Sequence, residues 1–508
     1  MEANIESQHG SASPSGGLTM QTINPAILRA DYAVRGTLAA LAERLQRELV
    51  DKTHQHPFDR VVSVNLGNPQ GCGQKPLTFF RQVMALIQYP ELLTVNPNQL
   101  ADHLIPEDAR QRAQTLLTEI GSVGAYTSNF GVLHIRKSVA NFISKRDGFA
   151  SSPDDIFLTC GAFEGMLISM TLLSGSHLLN PPEKTGVLLP VPFYPVYRAL
   201  LITLDLEPIP YALDETHHWC MPSQQAIATI ISSTRARGVR PRCIVIINPS
   251  NPTGAVHKKS ELEAVLDLAA KENLMVLADE VYQSNIFPSH QFLSCKKVLR
   301  QLQKSDNDGL YQNLQLISLH STSKGMIGES GQRGGYFEAV GFPDDIKLQI
   351  QKLVTYTLQP ATGGQILVGL MVCPPQPGDF SFDQFQRDYN AIYDGLKTKA
   401  EDLFEAFSRM PGVECQPVQG AIYHFPRVDL SAVALREAKE VGDAPDVWYC
   451  KKLLEKTGVC VVPGSGFGMT DGSEDGRIWF RITFLGEGRD WIERMEVFQR
   501  GFSNDYCV

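Results

Sequence analysis

No apolar run in this chain approaches the ~18–20 residues needed to cross a bilayer, so no membrane partner is expected. No CxxC pair occurs among its ten cysteines, at positions 72, 160, 220, 243, 295, 373, 415, 450, 460 and 507. That removes the common zinc-site and disulfide-framework readings and points to a reducing compartment. No basic stretch stands out and the net charge is −9, so nucleic acid is not an expected partner. Neither an internal repeat nor a sustained heptad is evident. Residues 1–19 are rich in small polar types and contain Glu2 and Glu6 but no arginine and no apolar core. This argues against a secretory signal or transit peptide. Residues 1–20 are expected to form a disordered tail, the last residues (Asp505 to Val508) are not a peroxisomal address, and the expected location is cytoplasmic.

What is present is an ordinary globular composition: 508 residues, 43% hydrophobic and 20% charged, enough for two or three domains. Leu38, Leu41, Leu45 and Val50 recur at helical intervals between Thr22 and Lys52. Residues 61–66 read as a strand ending in the turn Gly67-Asn68-Pro69, and two helical stretches follow near Phe79–Ile87 and Asp108–Ile120. From Asp155 onward, strand candidates at 156–160, 186–190, 244–247, 274–278, 314–319 and 336–341 alternate with helical stretches. That alternation implies an α/β domain, a mostly parallel sheet flanked by helices, placed at 95–370. Pro374 to Asp379 is a sharp break in composition. A long helix over Phe382–Met410 and strands at 421–428, 459–462 and 478–484 then make a smaller α+β domain, 371–508.

Four strand ends carry candidate chemistry. Lys324 follows the apolar run 314–319 and sits among Ser321, Ser323 and several glycines, with Arg333 nine positions on. A lysine that carries an aldehyde cofactor must be held where its amine can lose a proton and attack a carbonyl. The neighbouring hydroxyls and guanidinium suit a phosphate. The run Cys243–Ile247 ends in Asn248-Pro249-Ser250-Asn251-Pro252-Thr253-Gly254, where the prolines fix the course of the chain around Asn251. The strand Leu274–Ala278 ends in Asp279, with Tyr282 three residues later. A carboxylate at the end of a central strand lies where open α/β sheets bind ligands, and its burial demands a cation or several donors. The strand at 156–160 turns at Gly161 into an apolar helical stretch, whose first N–H groups form an anion site. A flexible loop, a polar turn, a solvated strand end and a plain connection would read the same one by one; their order and spacing together would not. Arg481 stands inside the apolar run 478–484, where a lone buried cation requires a partner such as a carboxylate.

This succession resembles that of the pyridoxal-phosphate enzymes of the aspartate aminotransferase fold (fold type I), over most of the chain. Within that family the segments Gly71–Val83, Gly328–Tyr336 and Pro463–Gly468 are most similar to the alanine aminotransferases. The resemblance implies pyridoxal 5'-phosphate as cofactor, with Lys324 as the catalytic residue that holds it as a Schiff base and later moves a proton at the substrate α-carbon. It implies Asp279 at the pyridine nitrogen, Asn251 and Tyr282 at the phenolic oxygen, and Tyr194 stacked on the ring, with Phe193 and Tyr197 close enough in sequence to be mistaken for it. Arg333, Ser321, Ser323 and the N–H groups of Ala162 and Phe163 would grip the phosphate. Family members often carry hydroxyl residues at those last two positions, so here the backbone must serve. Tyr126 matches a tyrosine that reaches the phosphate of the neighbouring subunit, which implies a homodimer. Arg481 and Gly67 would receive the substrate α-carboxylate, with Asn251 beside them. The N-terminal segment, 21–94, joins the small domain in this family.

The reaction so implied is a ping-pong transamination, L-alanine + 2-oxoglutarate to pyruvate + L-glutamate. The same cofactor residues would also serve a glutamate or alanine:glyoxylate aminotransferase or an ACC-synthase-like lyase, which the subgroup segments disfavour. A non-catalytic cofactor-binding regulator would be expected to carry a basic recognition helix, and the first 60 residues show none.

Overall fold

A computed structural model of the chain describes residues 18–30, 36–52, 54–94 and 104–507. The expected tail lies almost wholly outside these residues, as does the expected start of the large domain at residue 95. Seven strands form one sheet. From edge to edge they are Ile156–Thr159, Gly335–Val340, Leu316–Ser321, Met275–Asp279, Val239–Ile247, Lys184–Val191 and Glu207–Ala212. Only Gly335–Val340 runs against the others. The central strands are buried along their whole length, as in Met275–Asp279 and Leu316–Ser321. This is why they read as continuous apolar runs rather than as alternating ones. The strand Glu207–Ala212 was not expected, because Pro208 and Pro210 interrupt its pattern. It pairs only with Lys184–Val191, at the sheet edge, where missing donors are tolerated.

The N-terminal helical stretch is broken into Pro25–Arg29 and Thr37–Asp51. In the second helix Leu38, Ala42 and Leu45 are buried, whereas Val50 is 71% exposed. Positions 38, 42, 45 and 49 share one face at 3.6 residues per turn, and residue 50 falls a further 100° round. The expected strand 61–66 is reduced to Val62–Ser63, which pairs in parallel with Val459–Cys460. The long helix spans Phe382–Arg409, as expected.

Beyond it, Arg477–Thr483 is the centre of a five-stranded antiparallel sheet with Tyr423–His424, Arg427–Asp429, Val413–Glu414 and Val462–Pro463. The expected strand 421–428 is interrupted at Phe425-Pro426. The backbone of residues 62–67 runs beside this sheet: Thr483 N donates to Val64 O at 2.9 Å.

One face of the large sheet hides a layer of paired charges. Lys296 meets Glu338 at 2.5 Å, both 1% exposed. Arg146 forks onto Asp147 through two bonds of 2.8 Å and donates to Gln283 at 2.7 Å. Glu280, next to Asp279, accepts from Cys295 N at 2.8 Å. Burial pushes its carboxyl up to about 7, against the pull of Arg146.

Candidate active site

The residues singled out above converge because the strands that carry them end on one edge of the sheet, the place where open α/β folds put ligands. Asp279 and Ser321 are the last residues of their strands, Asn251 follows Ile247 and Tyr194 follows Val191. Gly161 follows Thr159, and Gly335 begins the reversed strand at the same end. The smaller sheet supplies Arg481 from the other side.

Asp279 is 3% exposed. Its Oδ2 accepts from the Tyr197 hydroxyl at 3.1 Å. Its Oδ1 is buried and has no hydrogen-bond partner. Burial raises the carboxyl from 3.8 to about 6, in spite of the Tyr197 bond, a backbone N–H at Val281 and the charge of Lys324. A buried carboxylate oxygen with nothing to accept from is costly. A protonated ring nitrogen would satisfy it. Tyr197 thus holds Asp279; Tyr194 is half-buried within electrostatic reach of Tyr197 and Tyr282.

Lys324 donates from Nζ to the carbonyl of Gly67 at 2.5 Å, and its Nζ lies 5.9 Å from the centre of the Tyr282 ring. Gly67 has to be glycine: a Cβ there would collide with the Tyr423 hydroxyl. Tyr282 donates to the Tyr423 oxygen at 3.2 Å. Tyr423 was missed in the sequence, where it stands inside a segment that signals only a strand.

At the start of the helix Ala162–Thr171, Gly161 has φ +91°, and a Cβ would come within 2.7 Å of Arg333 Nη2. Arg333 donates to Cys160 O at 2.9 Å and to Ser330 O at 2.8 Å. Three of its five N–H groups remain for an anion. The N–H groups of Ala162 and Phe163 belong to the first helical turn, where no intrahelical partner exists. Ser321 is buried and its Oγ accepts from Ser323 N at 3.3 Å. The Arg333 guanidinium thus lies beside the first turn of this helix, an arrangement suited to an anion.

Arg481, 1% exposed, donates from Nη2 to Asn65 O at 2.6 Å and from Nη1 to Asn251 Oδ1 at 3.0 Å. Its guanidinium lies 4.2 Å from the Tyr423 ring centre and 4.9 Å from that of Phe467. Nε is buried without a partner. No carboxylate of the chain pairs with it among the described residues. Asn251 is held through its oxygen, which leaves its amide N–H groups for another acceptor. Tyr126 does not join this cluster; it is 81% exposed.

The family described as aminotransferase class I and II matches residues 91–489. The chain belongs to that family. It is 46% identical over 496 residues to a mitochondrial alanine aminotransferase of Saccharomyces cerevisiae, covering 97% of this chain and 82% of the relative. It is also 43% identical to an inactive alanine aminotransferase of the same yeast, covering 97% and 96%. Among solved structures, an alanine aminotransferase from Pyrococcus furiosus superposes with a TM-score of 0.69 at 22% identity, covering 94% of this chain and 99% of that one. At that identity it speaks for the fold, which is the aspartate aminotransferase-like architecture already described. Membership accounts for Lys324 and Asp279 lying at one edge of the large sheet, with Arg481 of the smaller sheet facing them. Sequence similarity to an inactive relative means that activity has to be argued from the residues themselves.

Proposed function

We propose that this aminotransferase binds pyridoxal 5'-phosphate and exchanges the amino group of L-alanine for the keto group of 2-oxoglutarate, giving pyruvate and L-glutamate. The observation that carries the reading is Asp279: a fully buried carboxylate oxygen with no partner, at the same strand ends as a lysine amine and an anion cradle. Those three features fit a ring nitrogen, an aldehyde and a phosphate on one flat molecule. When bound, the cofactor supplies the electron sink that stabilises a carbanion at the substrate α-carbon.

The remaining tasks fall to the chain. Asp279, held by Tyr197, would keep a proton on the ring nitrogen. Arg333, Ser321, Ser323 and the first-turn N–H groups of Ala162 and Phe163 hold the phosphate. Asn251 would offer its free amide N–H groups to the phenolic oxygen, Tyr282 would do so by turning its one hydroxyl proton away from Tyr423, and Tyr194 would stack on the ring. Lys324 would hold the cofactor through its aldehyde, and its amine would carry the α-proton. Arg481 takes the α-carboxylate with N–H groups that Asn65 and Asn251 leave free, beside Gly67.

The choice of alanine rests on the relatives' names. The exposure of Tyr126 supports a homodimer in which it serves the opposite site. Ten free cysteines support a reducing compartment such as the cytoplasm. The division into an N-terminal segment 21–94, a large domain 95–370 and a small domain 371–508 is likewise proposed, and the pairing of Val62–Ser63 with Val459–Cys460 supports it. A donor panel run against 2-oxoglutarate tests the substrate: L-alanine should lead in kcat/KM, and a clear lead for aspartate, tyrosine or a glyoxylate acceptor would replace it. Light scattering that found a fully active monomer would refute the dimer.

A further inference from the structure

The segment Pro463–Gly468 takes no part in the chemistry proposed so far, yet it touches both sides of the site. Pro463 pairs with Phe480, the neighbour of Arg481. The chain then leaves the sheet in a single turn, Gly464–Phe467. The Phe467 ring, fully buried, lies 4.9 Å from the Arg481 guanidinium. Phe467 O accepts from Phe193 N at 3.0 Å, one residue before Tyr194. A carboxylate anchors this turn. Asp446, in the helix Pro445–Thr457, is fully buried. Its Oδ2 accepts from Ser465 N at 2.8 Å and its Oδ1 from Val447 N at 2.8 Å. The Ser465 hydroxyl is within hydrogen-bonding contact of it as well. Asp446 N donates to Asp471 O at 3.2 Å, farther along the same loop.

No cation pairs with Asp446 among the described residues. A buried carboxylate without one is costly, and burial raises this carboxyl to about 6 in spite of its donors. A neutral serine or asparagine could accept from Ser465 N at less cost. What the charge adds is strength, since a hydrogen bond to a carboxylate is roughly twice as strong as a neutral one. The two rings beside Arg481 differ in what fixes them. Tyr423 is set by its place in the sheet, opposite Thr483. Phe467 lies outside any strand, so its place depends on the turn. We propose that Asp446 is a positioning residue for substrate binding: by pinning Ser465 it sets the turn that holds Phe467 against Arg481, and so keeps the guanidinium plane aimed at the substrate α-carboxylate. A guanidinium stacked on an aromatic face is attracted to it and loses the freedom to tilt. The α-carboxylate is held alike in the bound substrate and at the transition state, so a loosened Arg481 raises KM and leaves kcat in place.

The inference rests on Arg481 receiving the α-carboxylate, as proposed above. Asp446→Asn keeps the shape, removes the charge and turns an amide N–H toward one of the two N–H donors. In the holoenzyme it should raise KM for L-alanine and for 2-oxoglutarate by about tenfold each and keep kcat within about threefold. Propionate, a carboxylate without an amine, should bind more weakly by the same factor in titration calorimetry, while cofactor affinity holds. Phe467→Leu should do likewise, and the two changes together should cost no more than the larger alone, because they act on one contact. Ser465→Ala removes only a hydroxyl donor and should give a smaller rise, about threefold, again absorbed by Phe467→Leu; it carries the comparison if Asp446→Asn does not fold. An unchanged KM, a fall in kcat as large as the rise in KM, or effects that multiply with Phe467→Leu would overturn the role of Asp446. A wild-type enzyme that neither binds propionate nor transaminates would overturn the proposed function, and this inference with it.

Discussion

Replacing Arg481 by lysine keeps the charge and removes the planar fork. Arg481 spends one N–H on Asn65 O and one on Asn251 Oδ1, so three remain, including the buried and unpartnered Nε. A substrate carboxylate can take two of these in parallel. A lysine amine, with three donors at a single point, cannot keep both protein contacts and present a two-armed face. Losing one charge-assisted hydrogen bond costs about 1.5–3 kcal/mol, which is roughly a 10- to 100-fold fall in kcat/KM. Every substrate of both half-reactions carries the same α-carboxylate. The fall should therefore be similar for L-alanine and for 2-oxoglutarate, and should appear mainly in KM. Steady-state kinetics with each substrate varied at several fixed levels of the other measures both. A loss confined to one substrate, or a change of less than about threefold in both, would show that Arg481 does not hold a shared carboxylate.

Lys324→Ala should fold, bind cofactor non-covalently and lose turnover by several orders of magnitude; borohydride reduction followed by peptide mass analysis should find no cofactor adduct, and wild-type-like turnover would remove Lys324 from the mechanism. Asp279→Asn should weaken catalysis far more than cofactor binding, and yet stabilise the apoprotein at alkaline pH. Because the folded carboxyl titrates at about 6 and the unfolded one near 3.8, the folded state holds the proton longer, so stability is lost as pH rises between these values and stays lower above them. The variant should recover about 2–3 kcal/mol at pH 8 and little at pH 4 in urea melts, and an equal effect at both would contradict the assignment. Lys296→Ala should destabilise the protein by about 3–5 kcal/mol by leaving Glu338 buried and unpaired, with KM for alanine unchanged when assayed below the melting range.

Much of this site was legible because its chemistry sits where secondary structure changes. Lys324, Asp279, Asn251 and Gly161 each follow an apolar run that only a buried strand explains, and Arg481 was conspicuous as a cation inside another. Tyr423 and Tyr197 were not legible as site residues. Both are aromatic residues in apolar company, and only the fold brings Tyr197 to Asp279 or Tyr423 between Lys324 and Arg481. Asn65 acts through its backbone carbonyl, which leaves no trace in the side-chain pattern. The edge strand Glu207–Ala212 was hidden by its prolines, and Val50 matched a helical spacing only when helix faces were counted loosely. Local pattern thus located the strand ends, whereas contacts between the two sheets depended on tertiary packing.

The central claim is that Lys324 and its neighbours remove an amino group from L-alanine through a bound cofactor. Its most direct test is a single half-reaction: holoenzyme mixed with excess L-alanine and no keto acid, with pyruvate and the visible absorbance followed together. The account predicts about one pyruvate per Lys324 site, in step with loss of the cofactor's visible band, and restoration of that band on adding 2-oxoglutarate. Absence of pyruvate from the wild type, or an equal yield from Lys324→Ala, would contradict it.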